Sequence, residues 1–171
     1  MLVMVSFVQA LRAYRRARGK RIVTCPETER PAAVEIDAVD AARAAFRGSS
    51  ALSICDCSRW PERADCAQAC VAQIEADPEV CRVRAIAERW YTGKHCVYCR
   101  KPIDAADWLD NWFDHKPALL DAAQRSVQWN EVAPEDLPEA LQRLRPVCWS
   151  CHEMESFRRE HPDLVIDRPP E

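Results

Sequence analysis

Glycine is nearly missing from this chain. Its 171 residues contain only Gly19, Gly48 and Gly93, each isolated. A phosphate-cradling loop or a dinucleotide fingerprint needs several glycines at fixed spacing, because backbone N–H groups must approach the phosphates closely. Neither can be built here. No Gly-x-Ser-x-Gly elbow occurs, which removes the α/β-hydrolase class as well. Long apolar runs are also missing. The run Met1–Leu11 has about half of the roughly 20 residues that a membrane-spanning helix needs. There is no internal repeat and no low-complexity stretch. The length suits one domain, or two small ones sharing part of a core.

Acidic residues are missing from one end. Residues 1–26 hold Arg12, Arg15, Arg16, Arg18, Lys20 and Arg21 but no acid, while the rest holds 18 bases against all 27 acids. So acidic a body disfavours nucleic acid as a partner, because sequence-independent binding rests on Lys and Arg displacing counterions. The segment 1–21 is apolar first and basic second, the reverse of a secretory signal. Three readings fit it: an amphipathic helix lying on an anionic membrane surface, the end of a longer anchor that starts upstream, or a helix packed on the body. In the first two, the basic run holds the protein on the cytoplasmic side, at the inner face of the membrane. In that reducing compartment, clustered cysteines bind metal more often than they pair.

Cysteine is present in excess, at ten residues. Cys96-Val-Tyr-Cys99 and Cys148-Trp-Ser-Cys151 are two Cys-x-x-Cys pairs with 48 residues between them. Together they offer four thiolates to one tetrahedral ion, which suits zinc, and a closed four-thiolate site leaves no position for a reactive water. Such a site braces a fold by on the order of 10 kcal/mol. A second set is expected from Cys57, Cys66, Cys70 and Cys81. Cys66, Cys70 and Ile74 fall at i, i+4 and i+8 of a helix predicted over 62–76. Cys57 closes a predicted strand. Cys81 falls in the first turn of the next helix, where the dipole favours thiolate. Cys25 substitutes for one member if strand pairing brings its turn beside Cys57, and Cys55, on the same strand face as Cys57, is a spare thiol. The cofactor expectation is therefore zinc, two ions, with an iron–sulfur cluster as the alternative at this first cysteine group.

The paired cysteines resemble those of zinc-ribbon and zinc-knuckle proteins. Rubredoxin-type iron knuckles share the arrangement but carry glycine after the second cysteine, where Arg100 and His152 stand here. Over about residues 95–160, the order Cys96-x-x-Cys99, Asp114-His115-x-Pro117, Cys148-x-x-Cys151-His152 resembles HNH endonucleases with a zinc-braced ββα core. That resemblance implies His115 as general base on water and Asp114 as a metal-site or orienting carboxylate. It makes His152 a metal ligand or a helix start, with Asn130 in the place of the family's middle Asn.

The expected fold is α+β: a small β-sheet followed by several short helices, braced by cysteine-metal sites. Strands are predicted over 20–24, 33–37, 51–57 and 127–132, and helices over 38–46, 62–76, 78–93, 134–144 and 153–161. Four parts follow: an apolar-basic segment 1–21, a cysteine-rich subdomain 22–93, a two-knuckle zinc subdomain 94–162 and a tail 163–171. The expected function is that of a metal-stabilised binding protein without catalytic activity, presenting a surface to a protein partner. The alternatives are an HNH-like metal-dependent nuclease and an iron–sulfur electron-transfer protein.

Overall fold

Helix formers without a glycine or proline fill residues 2–17, and in the computed structural model of the protein they form α1 (Leu2–Ala17). The structure describes residues 2–63, 65–103 and 116–164. Contacts divide the chain into two compact units, Met1–Ile86 with Pro134–Asp136, and Ala87–Ala133 with Leu137–Glu171.

In the first unit α1 stops before Gly19, whose φ of 91° turns the chain back into β1 (Arg21–Thr24). β1 pairs antiparallel with β2 (Pro31–Ile36), and β2 with β3 (Ile54–Cys57), in the order β1-β2-β3. Between β2 and β3 lies α2 (Ala38–Phe46), capped by Asp37, whose Oδ1 accepts from the N–H of Val39 (2.9 Å) and of Asp40 (2.8 Å). α1 packs on α2. The core joins Val23, Val34, Ile36, Ile54 and Ile74 to the thiols of Cys57, Cys70 and Cys81.

Three expectations for this unit change. The helix over 62–76 is replaced by α3 (Trp60–Arg63) and α4 (Val71–Ala76). Gln68, between them, takes a left-handed φ of 54° and spends its side-chain oxygen on the N–H of Ile54 (3.2 Å). Cys66 and Cys70 are therefore not stacked on one helix. The helix predicted over 78–93 starts later, as α5 (Val83–Tyr91). Asp77 Oδ1 does accept from Glu79 and Val80, but only a turn forms, because residues 81–83 pair with the start of β1: Ile22 N–H donates to Cys81 O (2.8 Å) and Val83 N–H to Lys20 O (3.2 Å). Cys55 and Cys57 do not share a strand face. Val34 faces Cys57 and Glu35 faces Asp56, but Ile36 faces Ile54, so Cys55 is the extra residue of a bulge. Ile54 and Cys57 are buried while Cys55 is exposed.

The second unit is built on a three-stranded antiparallel sheet. β4 (Ala118–Leu120) is central, between β5 (Ser126–Gln128) and β6 (Arg145–Val147). All three β4 residues are buried. The strand predicted over 127–132 ends at Gln128, where a 3-10 turn (Trp129–Glu131) begins, closed by Glu131 Oε2 accepting from the Gln128 N–H (3.1 Å). α6 (Leu137–Arg143) lies within the range expected for it. α7 (Trp149–Glu160) begins four residues before the predicted 153–161, with Cys148 as its N-cap. Tyr91 is fully buried, and its hydroxyl donates to Ala118 O (2.7 Å). The fold is α+β, with small antiparallel sheets and short helices. No helix among the described residues is long and apolar enough to cross a membrane.

Candidate metal centre

Cys96 and Cys99 sit on a tight turn. Cys96 N–H donates to Lys101 O (2.9 Å), and Arg100 N–H returns to Cys96 O (3.0 Å). Arg100 has φ 61°, the left-handed conformation that glycine usually supplies, so the missing glycine is replaced by a residue held in the same backbone state. Val97 N–H donates to Pro146 O (3.0 Å), which joins the turn to β6. The second pair is positioned differently. Cys148 caps α7 and Cys151 lies in its first turn, where His152 N–H bonds back to Cys148 O (3.0 Å).

These two elements bring Cys96, Cys99, Cys148 and Cys151 together, with all four sulfurs within 4.8 Å of one another. The Cys99 and Cys148 sulfurs are 3.7 Å apart. Zinc–thiolate bonds of about 2.3 Å set tetrahedral S···S edges of about 3.8 Å, so this spacing fits one ion. The sulfurs rest on a small core of Ala118, Leu120 and Val147. Burial opposes ionisation of Cys96, yet the backbone N–H groups of Cys148, Cys99 and Tyr98 outweigh it and bring that thiol down to about 7. Burial pushes Cys148 up. Burial, followed by the neighbouring sulfurs of Cys148, Cys99 and Cys96, pushes Cys151 up. Crowded thiols resist losing more than one proton until a cation shares their charge. Among the described residues, no other group of three or more Cys, His, Asp or Glu is gathered this tightly.

His152 is outside that set. It is 7% exposed, and its Nδ1 lies 2.8 Å from Ser126 Oγ, so it ties α7 to β5. Sequence reasoning had no signal for the Ser126 partner, because the two residues meet only when β5 packs beside the helix. Asn130 is exposed in the 3-10 turn. Asp114 and His115 lie outside the described residues.

The upstream thiols separate into two kinds. Cys25, Cys57, Cys66 and Cys70 line one small cavity. Burial raises the Cys70 thiol first, and the neighbouring sulfurs of Cys57, Cys66 and Cys25 raise it further. Cys81 is not among the residues lining that cavity. Its sulfur donates to Asp77 O (3.1 Å), and burial raises its thiol despite the charge of Arg21, so its place near a helix start does not favour thiolate as expected. Cys55 is exposed and donates to Glu35 O (3.5 Å). No family model, curated protein or solved structure matches this chain.

Proposed function

We propose that this protein is a zinc-braced binding protein without catalytic activity, whose binding element is the outward face of α1 resting on an anionic membrane surface. The convergence of Cys96, Cys99, Cys148 and Cys151 within 4.8 Å carries the metal part of this reading. Four thiolates select zinc over harder ions, and a closed set leaves no coordination position for substrate or water. The membrane part is supported by α1 itself. Met4, Val5, Phe7, Val8 and Leu11 are exposed, and Arg12, Arg15, Arg16 and Arg18 follow them with no acid nearby in sequence. Metal analysis of the purified full chain tests the first part. Zinc is expected, and Cys148→Ser should remove one ion per chain. Iron with visible absorption, or metal content unchanged by Cys148→Ser, would overturn it.

A second reading, an HNH-like nuclease, is favoured by one observation. The hairpin β4–β5 follows the Asp114-His115-Lys116-Pro117 motif, and α7, reached through α6 and β6, starts with Cys148, Cys151 and His152, so a hairpin and a later helix stand in the order of that family's ββα core. Cleavage of plasmid DNA with a divalent cation, abolished by His115→Ala, would establish it. Cleavage that is absent, or unchanged by that substitution, excludes it.

A further inference from the structure

The geometry points to a second metal site in the first unit, with zinc held by Cys25, Cys57, Cys66 and Cys70. This site is independent of the function proposed above. β1 and β3 both run antiparallel to β2, so they run in the same direction, with Arg21 and Cys57 both opposite Val34. Cys25 is the residue after β1, and Cys57 is the last of β3. Cys57 therefore stands level with the start of β1, and the turn after β1 carries Cys25 four residues further along.

The other two thiols are fixed against that sheet by two glutamines. Gln73 of α4 grips Thr24 with both halves of its amide: its Nε2 donates to Thr24 O (2.7 Å), and its Oε1 accepts from Thr24 N–H (3.0 Å). This docks α4, and with it the adjacent Cys70, beside the residue that precedes Cys25. Gln68 Oε1 accepts from Ile54 N–H (3.2 Å), which docks the 66–70 segment on β3. The result is a cavity of about 50 Å³ lined by all four thiols together with Arg59 and Trp60. These four sulfurs are not gathered as tightly as those of Cys96, Cys99, Cys148 and Cys151, and an ion would draw them inward.

The surroundings suit thiolates. The Cys25 turn closes through Cys25 O, which accepts from Glu29 N–H (2.8 Å) and Thr28 N–H (3.3 Å), and Cys25 N–H, which donates to Arg30 O (2.9 Å). The Thr28 hydroxyl of that turn is buried with no hydrogen-bond partner. Arg59, which lines the cavity, has a buried Nε–H with no hydrogen-bond partner, although its other end pairs with Glu62 (2.9 Å). Four thiolates on a divalent ion carry a net charge of −2, and a buried guanidinium N–H left unsatisfied is a donor suited to it. Trp60 walls the site from solvent. Cys55 and Cys81 are excluded because their sulfurs bond to Glu35 O and Asp77 O and do not line the cavity.

Metal counting by native mass spectrometry on the full chain tests the site. The wild type should hold two zinc ions. Cys25→Ser should lower that to one, Cys148→Ser should independently lower it to one, and Cys81→Ser and Cys55→Ser should keep two. Should Cys25→Ser misfold, alkylation of the folded wild type gives the same answer. Cys25 and Cys66 should resist the reagent until a chelator is added, while Cys55 reacts at once. A single ion in the wild type, loss of an ion on Cys81→Ser with none on Cys25→Ser, a disulfide among the four thiols, or iron–sulfur absorption would each overturn the assignment.

Discussion

Ser126 Oγ and His152 Nδ1 lie 2.8 Å apart, and this bond fastens the edge strand β5 to the turn of α7 that carries Cys151. His152 is buried, so removing the hydroxyl strands a ring nitrogen away from water. Ser126→Ala should cost about 1–3 kcal/mol of stability in the metal-loaded protein. Ser126→Thr keeps the hydroxyl and should recover most of that. Denaturant unfolding of the three proteins decides the matter, and identical midpoints for Ala and wild type would show that the bond contributes nothing.

Arg21 is the one fully buried cation among the described residues, 1% exposed, and its position explains how α1 ends. Its guanidinium donates to Ala17 O (2.8 Å), Gly19 O (2.9 Å) and Arg16 O, satisfying carbonyls that the helix leaves free. Arg82 reaches the same end, donating to Arg15 O (2.9 Å) and Arg16 O (3.1 Å). Burial, then the charge of Arg82, lowers the Arg21 pKa, but the group stays charged at any working pH. Arg21→Ala should cost about 3 kcal/mol, and Arg21→Lys should recover only part of it, because an ammonium cannot span three carbonyls as the planar fork does. Hydrogen exchange at the amides of the last turn of α1 should accelerate in Arg21→Ala. Unchanged protection there would rule out this capping role.

Removing the metal from the second unit should be more damaging than either substitution. Cys96 and Cys99 are held by a loop and Cys148 and Cys151 by a helix start, and the shared core beneath them, Ala118, Leu120 and Val147, is small. Structural zinc contributes on the order of 10 kcal/mol, more than so small a core can replace. A strong chelator should therefore abolish the near-ultraviolet dichroism of the buried Trp129 and Tyr91, and added zinc should restore it under reducing conditions. Dichroism that survives complete metal removal would mean that the sheet and α7 hold together without the ion.

What could be read from the sequence followed from spacing. The two Cys-x-x-Cys pairs gave the four-cysteine cluster because each pair is local and self-sufficient. The helix expected over 38–46 is α2. Features that depend on tertiary pairing were not legible. The bulge at Cys55 turns that thiol away from the face of Cys57, and no period-2 pattern reveals one added residue. Gln68 breaks a helix that Cys66, Cys70 and Ile74 imitate, and its reason is a bond to Ile54 fourteen residues away. β4 and β6 are three residues each, too short for alternation to register, and β4 is apolar throughout because both faces are covered. Cys25 lines one cavity with Cys57, Cys66 and Cys70 while Cys81 does not, and tertiary packing, not sequence distance, decides that.

The outward face of α1 makes the last prediction. Its inward residues Ser6, Ala10, Ala13 and Ala17 are small, with Tyr14, among the described residues, the one large side chain of comparable burial, and α1 packs on the alanine-rich α2. Its large apolar residues point the other way: Met4 is 73% exposed and Phe7 64%. A helix that buries its small residues and exposes its large ones reverses the pattern of a helix whose partner is only its own core. The arginines that follow supply attraction of roughly 1 kcal/mol each toward an anionic surface. The full chain should therefore co-sediment with vesicles containing phosphatidylserine, more weakly with neutral phosphatidylcholine, and less as salt is raised. Phe7→Glu should reduce binding at least tenfold while leaving the metal content and the unfolding midpoint unchanged, since Phe7 packs against little in the fold. Equal binding to both vesicle types would remove the electrostatic part. No binding to either would exclude a membrane surface and leave α1 to a protein partner.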